Sequence, residues 1–261
     1  MFETILFTIE DKIARITFNR EASGNAFSET TYQEVIDALT KVEQDPDVKA
    51  IVITGAGKYF CAGGDIRQFK DLVASGEGIP ESGVIKTGEM VAAVRRSSKP
   101  VIAAVNGVAA GAGLGLALAC DFILMGENAQ LVTAFIQMAF PGDTSLLFNL
   151  SQSIGVYRTN RHVMLNEPIT AELADHYGLT YQVVADEGLL AAALDLASRF
   201  VASPSVAIAY QKAIMYDLQY PQALENNQLE AKYMRKASLT EDHREAVNAF
   251  LAKRKPQFKG K

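Results

Sequence analysis

Two small-residue stretches and one isolated acid hold most of the chemistry this sequence can do. Ser98 to Asp121 reads SKPVIAAVNGVAAGAGLGLALACD. Within it, Val101 to Val105 is an unbroken apolar run after Pro100, the pattern of a fully buried strand. Asn106-Gly107 is a turn dipeptide. Gly111, Ala112, Gly113, Leu114 and Gly115 then open an apolar run through Ala119, too short to span a membrane and readable as a buried helix. Such an arrangement leaves bare N–H groups at a helix N-terminus, where they bind anions, or oxygens that become anionic. The small residues allow a ligand to approach the backbone; they equally allow close helix–strand packing with no ligand at all. The second stretch, KYFCAGGDI (58–66), is another small-residue loop directly after a strand-like run, KAIVIT (49–54). The acid is Asp143, alone in AFIQMAFPGDT (134–144).

Several other chemistries are excluded by spacing. Gly111, Gly113 and Gly115 lack the G-x-G-x-x-G pattern, and no acid follows about twenty residues on, so a dinucleotide site is not indicated. TGAGK (54–58) is not a P-loop, since its glycines are too close and no Ser or Thr follows the lysine. His162, His176 and His243 are scattered and no CxxC or HExxH occurs, so no metal site is expected. Cys61 and Cys120 both lie in apolar surroundings, as buried free thiols of a reducing compartment do.

The elements that must position these residues follow from pattern. The 261 residues are 49% hydrophobic, ample for a sizeable core, and the net charge of −5 argues against a nucleic-acid footprint. Ile13 to Phe18 alternates as a strand after a hairpin turn. Ser28 can cap a helix carrying Tyr32, Val35, Ile36, Leu39 and Val42 on one face, ended by Asp45-Pro46-Asp47. Residues 71–88, rich in Gly, Ser and Glu, read as a mobile loop. Strands are expected at 122–125, 130–133 and 181–184, and helices from Leu146, at 172–177 and at 189–201. After Pro204 only helical segments remain, near 204–217, 221–237 and 240–252. The fold class is α/β, with a core over 1–200 and a helical region over 201–261. Residues 1–10 lack a signal-peptide pattern and the last residues are no peroxisomal address, so the expected location is cytoplasmic, with no membrane partner.

FCAGGDI (60–66), KPVIAAVNGVAAGAGLGLALACD (99–121) and REAVNAFLAKRKPQF (244–258) together resemble the crotonase family, the enoyl-CoA hydratases and isomerases, over essentially the whole chain. Glu21 departs from the family pattern, which commonly has Pro after the FNR of Phe18 to Arg20. The resemblance implies a spiral of β-β-α turns, a C-terminal helical trimerisation region, and a homotrimer or dimer of trimers. It implies an acyl-CoA thioester substrate and no cofactor beyond the coenzyme A of that substrate. It places the thioester oxygen on the N–H groups of Gly64 and Ala112, with the backbone of Ala62, Gly63, Asp65 and Ile66 along the adenine-pantetheine side and Gly111, Phe135 and Phe140 lining the site. Such donors stabilise an enolate oxygen where its charge develops.

Acids and bases then choose the reaction. Family hydratases hold a water with two glutamates; this chain has Gly115 and Phe135 at those positions, so water activation lacks its base. Asp143, by residue type and place, is a helix N-cap ahead of 145–150. By resemblance it is the single catalytic acid of bacterial enoyl-CoA isomerases of the phenylacetate-pathway type, although their Pro-Asp pair is here Pro141-Gly142-Asp143. Phe135, Met138, Phe140 and Leu146 are expected to desolvate it and raise its pKa. The expected reaction is conversion of 3-enoyl-CoA to 2-enoyl-CoA by a one-carboxylate proton shuttle. Gly142-Asp143-Thr144 also resembles the 4-chlorobenzoyl-CoA dehalogenases, but the chain has no Trp, and Gly88 stands where those enzymes carry a His. Non-catalytic acyl-CoA binding is a third reading. Lys253, Arg254, Lys255, Lys259 and Lys261 are either contacts for the CoA phosphates or a solvated basic tail.

Overall fold

The computed structural model describes residues 2–261. The chain opens on a hairpin, β1 (Ile5–Glu10) and β2 (Ile13–Phe18), in antiparallel register. Asp11 and Lys12 both adopt left-handed backbone (φ 50° and 65°), as a tight turn matched to strand twist requires. Helix α1 (Glu29–Gln44) follows, closed at its start by a reciprocal Ser28–Thr31 capping box and ended at Asp45, as its sequence signals indicate.

From here each turn of the chain places one strand in a first sheet, the next strand in a second sheet, and then a helix. β3 (Ala50–Gly55) and β4 (Tyr59–Cys61) are followed by α2 (Phe69–Ser75) and α3 (Glu81–Arg96). β5 (Val101–Val105) and β6 (Val108–Ala110) lead into α4 (Ala112–Ala119). β7 (Phe122–Gly126) and β8 (Gln130–Val132) lead into α5 (Leu146–Ile154) and α6 (Val156–Met164). β9 (Ile169–Thr170), α7 (Ala171–His176) and β10 (Gln182–Val184) complete the sheets. The first sheet has order β1-β2-β3-β5-β7-β10 and the second β4-β6-β8-β9, parallel except at the β1–β2 and β8–β9 edges. This is the mixed α/β spiral expected above.

Both faces of the first sheet are covered, which is why its inner strands are continuously apolar rather than alternating. On one face Ile16, Phe18 and Ile53 join Phe27 and Phe60, whose rings pack edge-on around Phe18 at 4.8 and 5.4 Å. On the other, α8 (Leu189–Val201) lays Leu189, Ala193, Leu196 and Ala197 over Val52, Ile102 and Leu124. Helix α4 is buried on every side. Its Gly113 backs onto Cys61, where a Cβ would stand 2.6 Å from the cysteine Cβ, so α4 can sit on β4 only with glycine there.

Three helices close the chain: α9 (Ser205–Gln219), α10 (Ala223–Ser238) and α11 (Glu241–Leu251). Helix α10 packs along α3, and the Ile79 N–H donates to Ser238 Oγ at 2.8 Å. Segment 71–88 therefore differs from expectation. Most of it is helix, including the first half of α3, because Val84, Thr87 and Gly88 are buried under α10. Gly88 serves that packing: a Cβ there would meet Asn227 Oδ1 at 2.2 Å. Along α9 and α10, Val206, Tyr210, Ile214, Leu218, Leu224 and Leu229 remain exposed. No single helix among the described residues is long and apolar enough to cross a membrane.

Candidate active site

The donor half of the site is built where the two glycine loops meet. Gly63 (φ 100°) and Gly111 (φ 48°, ψ −118°) both occupy backbone regions that favour glycine. They back onto each other, a Cβ on Gly63 standing 3.2 Å from the Ala110 carbonyl oxygen and 3.9 Å from Gly111 Cα. The residues that follow them are Gly64 and Ala112. On one side of the Gly64 segment, the Phe27 N–H donates to Gly63 O (2.8 Å) and the Asp65 N–H to Phe27 O (2.9 Å). The Gly64 N–H faces the other way, and neither it nor the Ala112 N–H, first in α4, donates to a backbone carbonyl among the described residues.

The other residues singled out in the first loop divide by role. The Ala62 N–H donates to Gly24 O at 2.9 Å, and Ile66 starts a short 3-10 turn (Ile66–Gln68). Asp65 is expected along the substrate through its backbone. Its side chain is committed within the fold: its carboxylate accepts from Arg20 Nη2 (2.9 Å) and from Arg67 Nε (2.9 Å) and Nη2 (3.0 Å). Although burial opposes ionisation, those arginine bonds hold this carboxyl below the usual carboxylate range. Only its backbone is available to line the loop. Arg254, in the basic tail, likewise pairs with Glu245, its Nη2 lying 2.8 Å from Oε2.

The acid half is segment 134–145, which leaves β8 through the 3-10 turn Phe135–Met138. Ala134, Ala139, Thr144 and Ser145 are all left-handed there without being glycine, and Gly142 has φ 127°. Each such residue costs roughly 1–3 kcal/mol, so the surroundings must hold the segment in shape. The His243 ring makes a 2.9 Å hydrogen bond through Nδ1 to the Met138 carbonyl and stacks on Phe140 with centroids 4.2 Å apart. Phe140 is thus turned toward α11, within the apolar cluster of Ile79, Val84 and Met234. Phe135 joins the two halves. Its Cζ lies 3.7 Å from where a Cβ on Gly111 would stand, and its Cδ2 lies 3.6 Å from the same point on Gly142.

Asp143 follows Gly142 and is buried, with Oδ1 accepting no hydrogen bond. The helix-cap reading does not hold: the residue capping α5 is Ser145, no side chain caps that helix, and the Leu146 N–H goes to the Asp143 backbone carbonyl at 3.0 Å. Burial pushes the Asp143 carboxyl up to about 7, against a smaller opposing effect of the Thr144 hydroxyl. Its proton is therefore exchangeable near neutrality.

Two neighbours were missed by pattern. Tyr32, placed on the apolar face of α1, has its hydroxyl 3.8 Å from where a Cβ on Gly64 would stand. Its phenol is raised well above its ordinary value by burial and then by the charge of Asp143. Glu230, on α10, accepts from the Ser145 N–H at 3.1 Å. Burial pushes it up to about 8, and Asp143 adds to the rise. Both sit in ordinary amphipathic helices, and nothing in their local sequence marks them.

The two positions where a hydratase carries glutamates are physically closed to them or apolar. A Cβ on Gly115 would stand 2.0 Å from Thr144 Oγ1, and Phe135 fills the other. Gly88 is equally closed by Asn227, so no histidine fits there.

A spiral α/β core thus carries two backbone amides that donate to no backbone carbonyl among the described residues and one buried carboxyl, Asp143, whose Oδ1 accepts no hydrogen bond. The chain belongs to the enoyl-CoA hydratase/isomerase family, whose model matches residues 8–261. It is 34% identical over 264 residues to the 1,2-epoxyphenylacetyl-CoA isomerase of Escherichia coli K12, covering 100% of both chains. It is 32% identical to the crotonyl-CoA hydratase of Syntrophomonas wolfei, covering 98% of both. Among solved structures, an enoyl-CoA hydratase of Mycobacterium avium subsp. paratuberculosis superposes with a TM-score of 0.89 at 26% identity, over 99% of this chain and 100% of that one.

Proposed function

We propose that this enzyme moves the double bond of a 3-enoyl-CoA into conjugation, giving the 2-enoyl-CoA. The reading rests on one observation: the buried Asp143 carboxyl has an unpartnered oxygen and is pushed up to about 7, and no carboxylate stands at Gly115 or Phe135. In this reading the thioester oxygen accepts from the Gly64 and Ala112 N–H groups. Ionised Asp143 takes a proton from C2, the electron pair delocalises onto the thioester oxygen, and the two amides stabilise the charge there. The same carboxyl, now protonated, delivers the proton to C4 as the C3–C4 double bond shifts to C2–C3. No net proton is consumed. A carboxyl with pKa near neutrality is both competent base and competent acid for the two halves. The apolar cluster around Phe135, Phe140 and Met138 keeps water from the conjugated product. The relatives include both isomerases and hydratases, which is compatible with this choice but does not make it.

The exposed apolar side chains along α9 and α10 suit burial against further copies of the chain, which supports the homotrimer or dimer of trimers that the family resemblance implies.

The test is growth of the conjugated-thioester absorbance when a short 3-enoyl-CoA is mixed with the protein. Asp143→Asn is expected to lower kcat by about 10²–10⁴-fold while the acyl-CoA still binds. No absorbance change with wild type that demonstrably binds the thioester sinks the isomerase reading.

A further inference from the structure

We propose that the Tyr32 hydroxyl is a third hydrogen-bond donor to the thioester oxygen, beside the N–H groups of Gly64 and Ala112. That role deepens the proposed isomerisation and rests on it for the identity of the oxygen.

Three observations support it, the first being position. A Cβ on Gly64 would stand 3.8 Å from the Tyr32 hydroxyl oxygen and 4.0 Å from Phe69 Cζ; chain neighbours aside, nothing else among the described residues comes within 4 Å of that point. Phe69 presents only a ring edge, so the hydroxyl is the one polar atom over this face of the glycine. The glycine nitrogen lies about 2.5 Å from the same point by covalent geometry. The hydroxyl oxygen and the Gly64 nitrogen are therefore no more than about 6 Å apart, a span across which two donors can meet on one oxygen.

The second observation is what holds the hydroxyl there. Tyr32 stands in the first turn of α1, and its ring packs edge-on against Phe27 with centroids 5.7 Å apart. Phe27 is also the residue whose backbone brackets Gly64, its N–H donating to Gly63 O and its carbonyl accepting from the Asp65 N–H. One residue thus fixes both the tyrosine ring and the strand that carries the donor.

The third is that the fold gives the hydroxyl nothing to bond. It makes no hydrogen bond among the described residues, on a helix face where Val35, Leu39 and Val42 bury hydrocarbon alone. A phenylalanine would pack there as well and leave no polar atom to satisfy. Burial keeps the phenol protonated at neutral pH, so it meets the site as a donor.

The expected consequence follows from the lone pairs of the substrate oxygen. A carbonyl oxygen has two, which the two amides fill. The enolate oxygen has a third, and only then is the hydroxyl fully used. A donor that strengthens as charge develops raises kcat and leaves substrate binding almost unchanged.

The experiment compares wild type with Tyr32→Phe, which keeps the ring and removes the hydroxyl alone. With a short 3-enoyl-CoA, kcat should fall by about 10²-fold while KM changes less than about twofold. Binding is measured in parallel by calorimetry, without turnover. The two probes are a saturated acyl-CoA and a nitroalkyl thioether of coenzyme A in its nitronate form, which carries anionic oxygen as the enolate does. Tyr32→Phe should weaken the nitronate by about 10²-fold and the saturated thioester by less than about twofold. Equal effects on the two probes overturn the proposal. So does a fall in kcat with nitronate binding unchanged, which would assign the hydroxyl to Asp143 instead. If wild type isomerises nothing, the isomerase reading fails by itself. The probes still decide the hydroxyl: a preference for the nitronate that Tyr32→Phe loses upholds the third donor, and a preference retained or never present removes it.

Discussion

The two halves of the site reach their geometry in opposite ways. The donor half, around Gly63–Gly64 and Gly111–Ala112, places its unusual backbone angles on glycine, and its loops hang from strands buried in the core. The acid half, 134–145, places four left-handed residues on Ala, Thr and Ser, and is fastened from outside the spiral by Glu230 of α10 and His243 of α11. In the proposed reaction the donors would do the same task for any acyl-CoA thioester, so a relaxed, self-contained scaffold suits them. The acid would decide which bond is remade, and it sits on a strained segment fastened by the C-terminal helices. Strain of this kind persists only when the surroundings over-determine it. The contrast suggests that the C-terminal region, besides any role in assembly, completes the acid half within its own chain.

The largest effect expected from breaking this contrast comes from the buried charge itself. The folded protein holds the Asp143 proton up to about pH 7, whereas the unfolded chain releases it near 4. A raised carboxyl stabilises the fold fully below the unfolded value, and that stabilisation is lost as pH climbs toward the folded one. Asparagine titrates nowhere. Asp143→Asn should therefore gain stability over wild type progressively from pH 4 to 7, reaching on the order of 4 kcal/mol at pH 8. Denaturant unfolding at pH 5 and pH 8 measures it. Equal gains at both would show that the carboxyl ionises normally and that the acid half is not dry.

A smaller effect should follow from moving the strain to the donor side. Gly111→Ala meets no steric obstacle beyond ordinary contact with Phe135, but φ 48° with ψ −118° is a conformation alanine resists. A loss of about 1–3 kcal/mol is expected, with kcat/KM falling further than stability because Ala112, the next residue, carries a donor N–H. Preserved stability together with full activity would mean the donor half is less dependent on glycine than the angles indicate.

Legibility in the sequence follows the same division. The two glycine loops were readable because a glycine demanded by backbone shape is visible as a glycine: Gly63 and Gly111 stand in short motifs next to apolar strands. Asp143 was visible as the lone acid in an apolar segment. The fastening was not. Glu230 lies in ALENNQLEAKYMRKAS among similar polar residues, and only the fold brings it, half-buried, to the Ser145 N–H. The reading of 71–88 as a loop failed for a related reason. Gly83 and Gly88 lower helix propensity locally, yet Gly88 is required by Asn227, more than a hundred residues later. The second sheet was only half legible because β4, β6 and β8 have three residues each, too few for alternation to show.

The smallest effect is the reverse substitution on the acid side. Ala139 ends the Phe135–Met138 turn in a left-handed conformation (φ 54°, ψ 36°) that glycine adopts freely. Ala139→Gly removes only a methyl group and relieves that strain, while glycine's greater freedom in the unfolded chain takes part of the gain back. The net should be about 0.5–1 kcal/mol, or a rise of roughly 1–4 °C in Tm for a chain of this size. If the strain is merely tolerated, activity should be unchanged or higher. If it helps aim Asp143, the more stable variant should isomerise more slowly, because the relaxed turn samples angles that carry the carboxyl away from C2 and C4. A variant that gains Tm and loses kcat at unchanged KM would place the strain of the acid half in the mechanism, and a gain in both would confine it to the fold.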